Sequence, residues 1–459
     1  MKLHDSLTKT LKDFPPAQGR PVTIYACGPT VYKDVTIGNL RSFLTTDLLR
    51  RYLEHRGHRV NLVMNLTDVG HMLNDADHGE DKMIQAAREA GKTPKEIADL
   101  YTEIFFRDAD AVGMKRASHH PKATGHIPEM IALIEELIKN GHAYVTSKGD
   151  VYYDVGSFKE YGKLSGNSVA DLVAGARVET ASDKKHPADF ALWINNPNHV
   201  LQWPSPWGSG YPGWHLECSA MAMKYLGKTI DLHIGGEDLK FPHHECEIAQ
   251  SEGATGQTFS RHWLHVSYLL VEGEKMSKST GNFYTLSDLT AKGFSPEAVR
   301  FLLLSAHYRT QFNFTMDGLK AAERTITAFR GVAEALKSGA NQKKPGAAMY
   351  VARFESALDD DLNVSQALAV AHECIKEANK GNVGAEEGMA FLKIVDDVFG
   401  FGLAKEAGEI PDEIKNISAA REKARKNKDF KESDRLRLEI EKAGWKVEDG
   451  PEGQKLKKA

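Results

Sequence analysis

The order of apolar periods between residues 22 and 66 constrains this chain more than any other feature. Residues 22–26 (VTIYA) form a short apolar run, the pattern of a buried strand. Gly28-Pro29 then supplies a turn. From Gly38 onward, Leu40, Phe43, Leu44, Leu48, Tyr52 and Leu53 recur at spacings of three and four, which puts them on one face of a helix. Gly57 stands where a glycine closes a helix. Residues 60–66 (VNLVMNL) read as a second strand. Strand, turn, helix, strand is a βαβ unit, so the fold class is α/β with a doubly wound, Rossmann-like parallel sheet. Ligands of such sheets bind beyond the carboxyl ends of the strands. Residues 27–39 and Thr67-Asp68 lie there.

The alternation stops at Gly125 and resumes after Pro212. Between them lie a helical piece over 127–141, short strand-like runs (AYV, DVYYDV) and the Trp/Pro-rich QWPSPWGSGYPGW. This is the pattern of an insertion. Residues 229–234 then read as a resumed strand that Gly235-Gly236 breaks. A helix follows near Pro242, a residue suited to the first helical position. Beyond Ser295 every periodic segment is helical, and residues 338–346 (SGANQKKPG) read as a loop between helices.

Composition removes several classes. With 41% apolar and 27% charged residues the chain is an ordinary globular protein. No run approaches the roughly 18 apolar residues of a membrane span, and the start (MKLHDSLTKTLKDF) lacks the apolar core of a secretory signal. A cytoplasmic protein without membrane contact is expected. The net charge of −4 excludes a wholly basic nucleic-acid binder, but Lys and Arg outnumber Asp and Glu from Lys415 onward. A local basic surface suffices to meet phosphates. Cys27, Cys218, Cys246 and Cys374 are scattered, which argues against a disulfide framework.

Three segments carry chemistry. Residues 274–282 (EKMSKSTGN) place two lysines around Met-Ser, followed by Ser and Gly. A mobile loop of this kind can bring ammonium charges onto phosphates, although a solvated basic loop has the same composition. Residues 28–41 (GPTVYKDVTIGNLR) join a glycine-rich turn to the head of a helix, where backbone N–H groups and the helix dipole favour an anion. Together the two suggest a nucleoside triphosphate. Finally, His243 and Glu247 are four apart on one helix face, Cys27 ends the first strand, and Cys218 follows WHLE. Two thiolates, an imidazole and a carboxylate suit tetrahedral zinc. Cys246, three residues after His243, is a rival ligand.

YACGPTVYKDVTIGNLR, NLTDVGH, WPSPWGSGYPGWHLECSAMAM, DLHIGGEDLKFPHHECEIAQSE, KMSKSTGNF, ALDDDLNVSQALAV and REKARKNKDFKESDRLR together resemble the cysteinyl-tRNA synthetases, of class I architecture, over essentially the whole chain. The resemblance implies zinc on Cys27, Cys218, His243 and Glu247, with Cys246 outside the shell. It implies a cysteine pocket lined by Thr30, Thr67, Trp214 and His233. ATP, with Mg²⁺, is framed by Gly38, Gly235, Gly236 and Asp238, while Lys275 and Lys278 hold its phosphates and Ser277 belongs to the same loop. Residues 1–124 and 213–270 are then the catalytic domain, 125–212 a connective insertion, and 271–315 the lysine loop with a stem-contact region. Residues 316–403 are a helical bundle, and 404–459 a basic anticodon-binding tail in which groups near Trp445 meet anticodon bases. The partners are tRNA(Cys), L-cysteine and ATP, and the expected state is a monomer.

One departure from the class I pattern falls at Thr36. The class carries His-Ile-Gly-His ahead of the helix; here it is Thr36-Ile37-Gly38-Asn39. Asn39 can still donate a hydrogen bond, whereas the Thr36 hydroxyl is shorter than a histidine and cannot be cationic. The expectation is that the local loop has adapted, with Lys33 facing the phosphates. A cysteine ligase acting on an amino-sugar shares the catalytic half but has no need of the helical carboxyl region. A catalytically weakened paralogue that only binds tRNA or zinc is the other alternative, and Thr36 alone speaks for it.

Overall fold

Val22–Ala26 and Val60–Met64 lie parallel, Val22 opposite Val60 and Ala26 opposite Met64, joined by the helix Ile37–His55. This is the βαβ unit that the periodicity implies. All six expected helix positions, from Leu40 to Leu53, are buried. Arg41, Thr45, Thr46 and Asp47 are buried as well, so the helix is covered on more than its sheet-facing side. The computed structural model describes residues 1–14, 19–69, 72, 81–167, 183–276, 281–338, 347–403, 412–427, 429–443, 445–450 and 453–458.

Two further parallel strands complete a four-stranded sheet in the spatial order Trp263–Val266, Leu232–Gly236, Val22–Ala26, Val60–Met64. The chain enters at Val22–Ala26, fills one side, and later returns to fill the other. The strand order therefore reverses between Val22–Ala26 and Leu232–Gly236, and the crevice at such a reversal is where open α/β sheets bind ligands. The expected strand over 229–234 is displaced: it begins at Leu232 and runs through the two glycines, Gly235 opposite His265 and Gly236 opposite Val266. The ladder to the neighbouring strand outweighs the glycines' weak strand preference. Pro242 is likewise one place earlier than expected, at the N-cap of His243–Thr255 rather than inside the helix.

The insertion contains an antiparallel meander: Ala143–Val145, Val151–Tyr153, Phe190–Asn195, Gly210–Pro212. It ends where Trp214–Leu226 begins. A smaller sheet has Leu269–Val271 in its centre, antiparallel to Glu274–Lys275 and parallel to Phe312–Phe314. Four longer helices follow: Met316–Ser338, Ala347–Asp359, Val364–Asn379 and Ala385–Phe399.

The chain divides into two compact units, Met1–Leu403 and Ala404–Ala459. The second holds the helices Asp412–Lys426 and Phe430–Lys442 and a hairpin, Trp445–Gly450 with Gly453–Lys458. The region beyond Ser295 is therefore not wholly helical. Phe312–Phe314 and this hairpin are strands because alternate residues, such as Trp445 and Val447, point into a core with Ile414 and Ile440. Trp445 is 6% exposed, so its ring is core and is not available to a base. Among the described residues no helix is long and apolar enough to cross a membrane.

Candidate active site

Three elements converge on the crevice. The strand Val22–Ala26 ends in Cys27, the helix Trp214–Leu226 carries Cys218 in its second turn, and the helix His243–Thr255 presents His243 and Glu247 one turn apart. The ligand atoms of Cys27, Cys218, His243 and Glu247 all lie within 4.8 Å of one another, and all four residues are buried. His243 Nε2 is 3.1 Å from Glu247 Oε1, and Cys27 Sγ is 3.8 Å from the same oxygen. Zinc bonds of about 2.0–2.3 Å in a tetrahedron separate the donors by about 3.3–3.8 Å, so the cluster matches the ion's size.

Burial opposes ionisation of Cys218, yet its hydrogen bonds with Cys27 and His243 bring the thiol down to about 6. Burial also opposes charge on His243, but the Cys218 thiolate and the Glu247 carboxylate hold the imidazole up at about 10. Glu247 is buried too, and His233 and His243 hold it down at about 2. Burial, then the Cys218 thiolate, push Cys27 well above the usual thiol range. A divalent ion would find a thiolate on Cys218 and a carboxylate on Glu247 and would displace the protons of His243 and Cys27 on binding.

A second set overlaps the first: Cys27, His233, His244 and Glu247 also fall within 4.8 Å. One ion cannot serve both. His233 Nε2 lies 2.8 Å from Glu247 Oε2, and its ring stacks on Trp263 at 4.6 Å. His244 lies 3.2 Å from Cys27 Sγ through Nε2 and 2.8 Å from His265 Nε2 through Nδ1. Burial and the neighbouring imidazoles push His244 well below the usual histidine range, so it is neutral. The first set has two thiols and the second only one, which favours the first for a thiophilic ion. His233 then orients the carboxylate of Glu247. Cys246 belongs to neither set, and its sulfur is 3.4 Å from the Tyr161 hydroxyl.

Around this cluster lie the expected pocket residues. The Trp214 ring is 4.5 Å from the His243 ring, centroid to centroid. Thr30 and Thr67 pair across an isolated bridge, with Val31 N donating to Thr67 O at 3.0 Å. Their spacing is held by Asn65, which the motifs did not single out. Its Oδ1 accepts from Gly28 N at 2.8 Å and its Nδ2 donates to Thr67 Oγ1 at 3.1 Å. A polar residue at the carboxyl end of a buried strand was the available signal. The backbones are so close that a Cβ on Gly28 would sit 1.8 Å from the Asn65 carbonyl oxygen, which explains this glycine. Gly235 leaves room for His244, whose ring would be 2.8 Å from a Cβ there.

The nucleotide end of the crevice is the amino terminus of Ile37–His55. Thr36 is its N-cap. Its Oγ1 accepts from Asn39 N at 3.2 Å and donates to Asn39 Oδ1 at 2.9 Å, while Thr36 N donates to the same oxygen at 3.2 Å. The Thr36 side chain is thus turned onto its own helix rather than into the crevice. The Asn39 side chain is left with its NH₂ group to donate. Backbone from the far side of the lysine loop closes on this turn: Thr36 pairs with Thr285, and Ile37 N donates to Tyr284 O at 3.0 Å. A Cβ on Gly38 would be 3.3 Å from Met276 Cε. Gly236 and Asp238 flank the opposite strand end, with Asp238 exposed. Lys275 is exposed on its short strand, and its carbonyl accepts from Asn282 Nδ2 at 3.3 Å. Ser277 and Lys278 lie outside the described residues. Lys33 is exposed, its ammonium 5.1 Å from the Tyr32 ring centroid and 5.8 Å from that of Phe283.

Comparison with known proteins bears on the family. The catalytic-domain model of class I (C) tRNA synthetases matches residues 13–324, a DALR domain matches 353–404, and a cysteinyl-tRNA ligase anticodon-binding domain matches 407–455. The chain is 43% identical to a cysteine–tRNA ligase of Chlorobaculum tepidum, over 99% of this chain and 98% of the relative. It is 44% identical to that of Caldicellulosiruptor saccharolyticus, over the whole of both. Among solved structures, Mycobacterium tuberculosis methionyl-tRNA synthetase in complex with methionyl-adenylate is similar, with a TM-score of 0.62 at 15% identity, over 86% of this chain and 95% of that one. At that identity the likeness speaks for the fold alone.

Proposed function

The chain belongs to the cysteine–tRNA ligase family, and from this we propose that it activates L-cysteine with ATP and transfers it to the 3′ end of tRNA(Cys). The observation that carries the reading is the buried cluster of two thiols, an imidazole and a carboxylate at the switch point of the sheet. In the first step a cysteine carboxylate oxygen attacks the α-phosphorus of ATP, and the bond to the bridging oxygen breaks, giving cysteinyl-adenylate and pyrophosphate. In the second a terminal ribose hydroxyl of tRNA attacks the acyl carbon. The carbon–oxygen bond to AMP breaks, and the hydroxyl proton passes to the phosphate of the departing AMP. Chemistry of this kind needs positioning and neutralised charge more than a covalent nucleophile.

The chain's own groups supply both. Thr30, Thr67 and Trp214 line the amino-acid end. At the nucleotide end, the positive end of the dipole of Ile37–His55 meets phosphate oxygens. Asn39 Nδ2 adds a donor, and Thr36 contributes by fixing the helix terminus. Gly38, Gly235, Gly236 and Asp238 shape the site for ATP, and Lys275, Ser277 and Lys278 close on the phosphates. Mg²⁺ arrives bound to those phosphates. Zinc, held by Cys27, Cys218, His243 and Glu247, supplies a soft Lewis acid for the substrate thiol, which a serine hydroxyl matches poorly.

The test is cysteine-dependent ATP–pyrophosphate exchange followed by charging of tRNA. Exchange without charging would favour the amino-sugar ligase, and tRNA binding without exchange the weakened paralogue. The match over 407–455 favours the tRNA ligase over the amino-sugar ligase.

A further inference from the structure

Backbone strain marks a residue far from the crevice in sequence. Asp361 and Leu362 hold φ of 56° and 53°, in the left-handed region that residues with a Cβ rarely adopt. Both are buried. Strain of this kind persists only where surrounding contacts over-determine it, and here they do. The Asp361 carboxylate accepts from His4 N at 2.8 Å, the Tyr308 hydroxyl at 2.5 Å and Arg309 Nε at 2.7 Å. Its carbonyl is 2.7 Å from His307 Nε2. Three successive residues, 307–309, are thus tied to one bundle residue.

The same joint holds both sides of the nucleotide end. Arg41, in the first turns of Ile37–His55, donates through Nη2 to the carbonyls of His307 and Thr310 at 3.0 and 2.9 Å, and through Nη1 to Ser267 O at 2.7 Å. Ser267 N donates to Tyr308 O at 2.8 Å. Immediately beyond the joint, Phe312–Phe314 pairs with Leu269–Val271, which in turn pairs with Glu274–Lys275.

We infer that Asp361 is a positioning residue for adenylate formation: by fixing residues 307–310 it sets the strand bearing Lys275 against the amino end of the helix Ile37–His55. The inference rests on the ligase reading of those two elements. Displacing a group by about 1 Å can cost a reaction up to about 10²-fold when geometry supplies the rate. A merely structural role would lower the number of folded sites instead.

The experiment uses the full chain and compares wild type with Asp361→Asn and Tyr308→Phe. It measures active-site concentration, zinc content, and kcat and KM in cysteine-dependent exchange. The expected result for Asp361→Asn is a per-site kcat lower by about tenfold or more, with zinc content and KM for cysteine within about twofold of wild type. Tyr308→Phe, which removes the hydroxyl contact to the carboxylate and leaves the others, should show the same pattern at about threefold. It decides the matter if Asp361→Asn does not fold. A per-site kcat equal to wild type, or a loss explained wholly by fewer active sites, overturns the inference. Absence of cysteine-dependent exchange in the wild type would instead remove the ligase reading on which it stands.

Discussion

At the scale of the residue, Thr36 changes meaning once its partners are known. Against the class I tetrapeptide it reads as a lost donor. In the fold it is the N-cap of the helix Ile37–His55, locked to Asn39 in a reciprocal box. Removing such a cap costs about 1 kcal/mol. Thr36→Ala should therefore lower thermal stability and slow exchange together, and Thr36→Ser should restore both. Thr36→His should gain nothing, because an imidazole cannot reproduce the box at this backbone. A tenfold faster histidine variant, read by pyrophosphate exchange, would show that the hydroxyl is a handicap after all. Asn65 acts in the same indirect way. By joining Gly28 N–H to the Thr67 hydroxyl it fixes the distance across the proposed cysteine pocket. Asn65→Ala leaves a buried N–H without a partner, which costs about 1–3 kcal/mol, and it should raise the KM for cysteine more than that for ATP. Equal effects on the two constants would contradict this.

At the scale of the element, the helix Ile37–His55 was legible from its spacing because it has one dominant apolar face and a glycine just past its end. The strand Leu232–Gly236 was legible only in part. Two glycines signal a break locally, and the sheet partners that override them are about thirty residues further along the chain, at Trp263–Val266. The terminal hairpin was missed for a related reason. Charged residues interleaved in its sequence hide an alternation in which, among the described residues, Trp445, Val447 and Leu456 reach the core. With the Trp445 ring in the core, a base contact in this unit falls to an exposed ring. Phe430 opens the helix Phe430–Lys442 and is 63% exposed, beside Lys426 and Lys431. Exposed aromatic rings next to cations suit unstacked RNA bases. Phe430→Ala should weaken tRNA charging by about 1–3 kcal/mol of stacking while leaving exchange intact. Trp445→Ala should lower the melting temperature of the second unit. Normal charging by the Phe430 variant would exclude the stacking role.

At the scale of the whole molecule, the zinc-type donors were legible because their residue types are few and their spacing chemically meaningful. Their convergence followed from the family resemblance and not from spacing, since Cys27 and Glu247 meet through the reversal of strand order in the sheet. The neutral His244–His265 pair was invisible for the same reason. The division at Leu403 and Ala404 gives a direct way to separate the two halves of the reaction. A chain ending at Leu403 should exchange pyrophosphate at the wild-type rate yet charge tRNA poorly, with a shallower salt dependence because phosphate contacts are gone. Equal charging by the two chains would count for the small-molecule ligase. The central claim, that a zinc-holding cluster selects cysteine in an ATP-driven ligase, is tested most directly by measuring exchange with cysteine and with serine in zinc-replete, chelator-stripped and zinc-restored protein, with Cys218→Ala alongside. The account predicts one zinc per chain, exchange with cysteine but not serine, loss of both zinc and exchange on stripping or in the variant, and recovery of the wild type on adding zinc back. Cysteine-dependent exchange that persists at full rate in the zinc-free protein would contradict it.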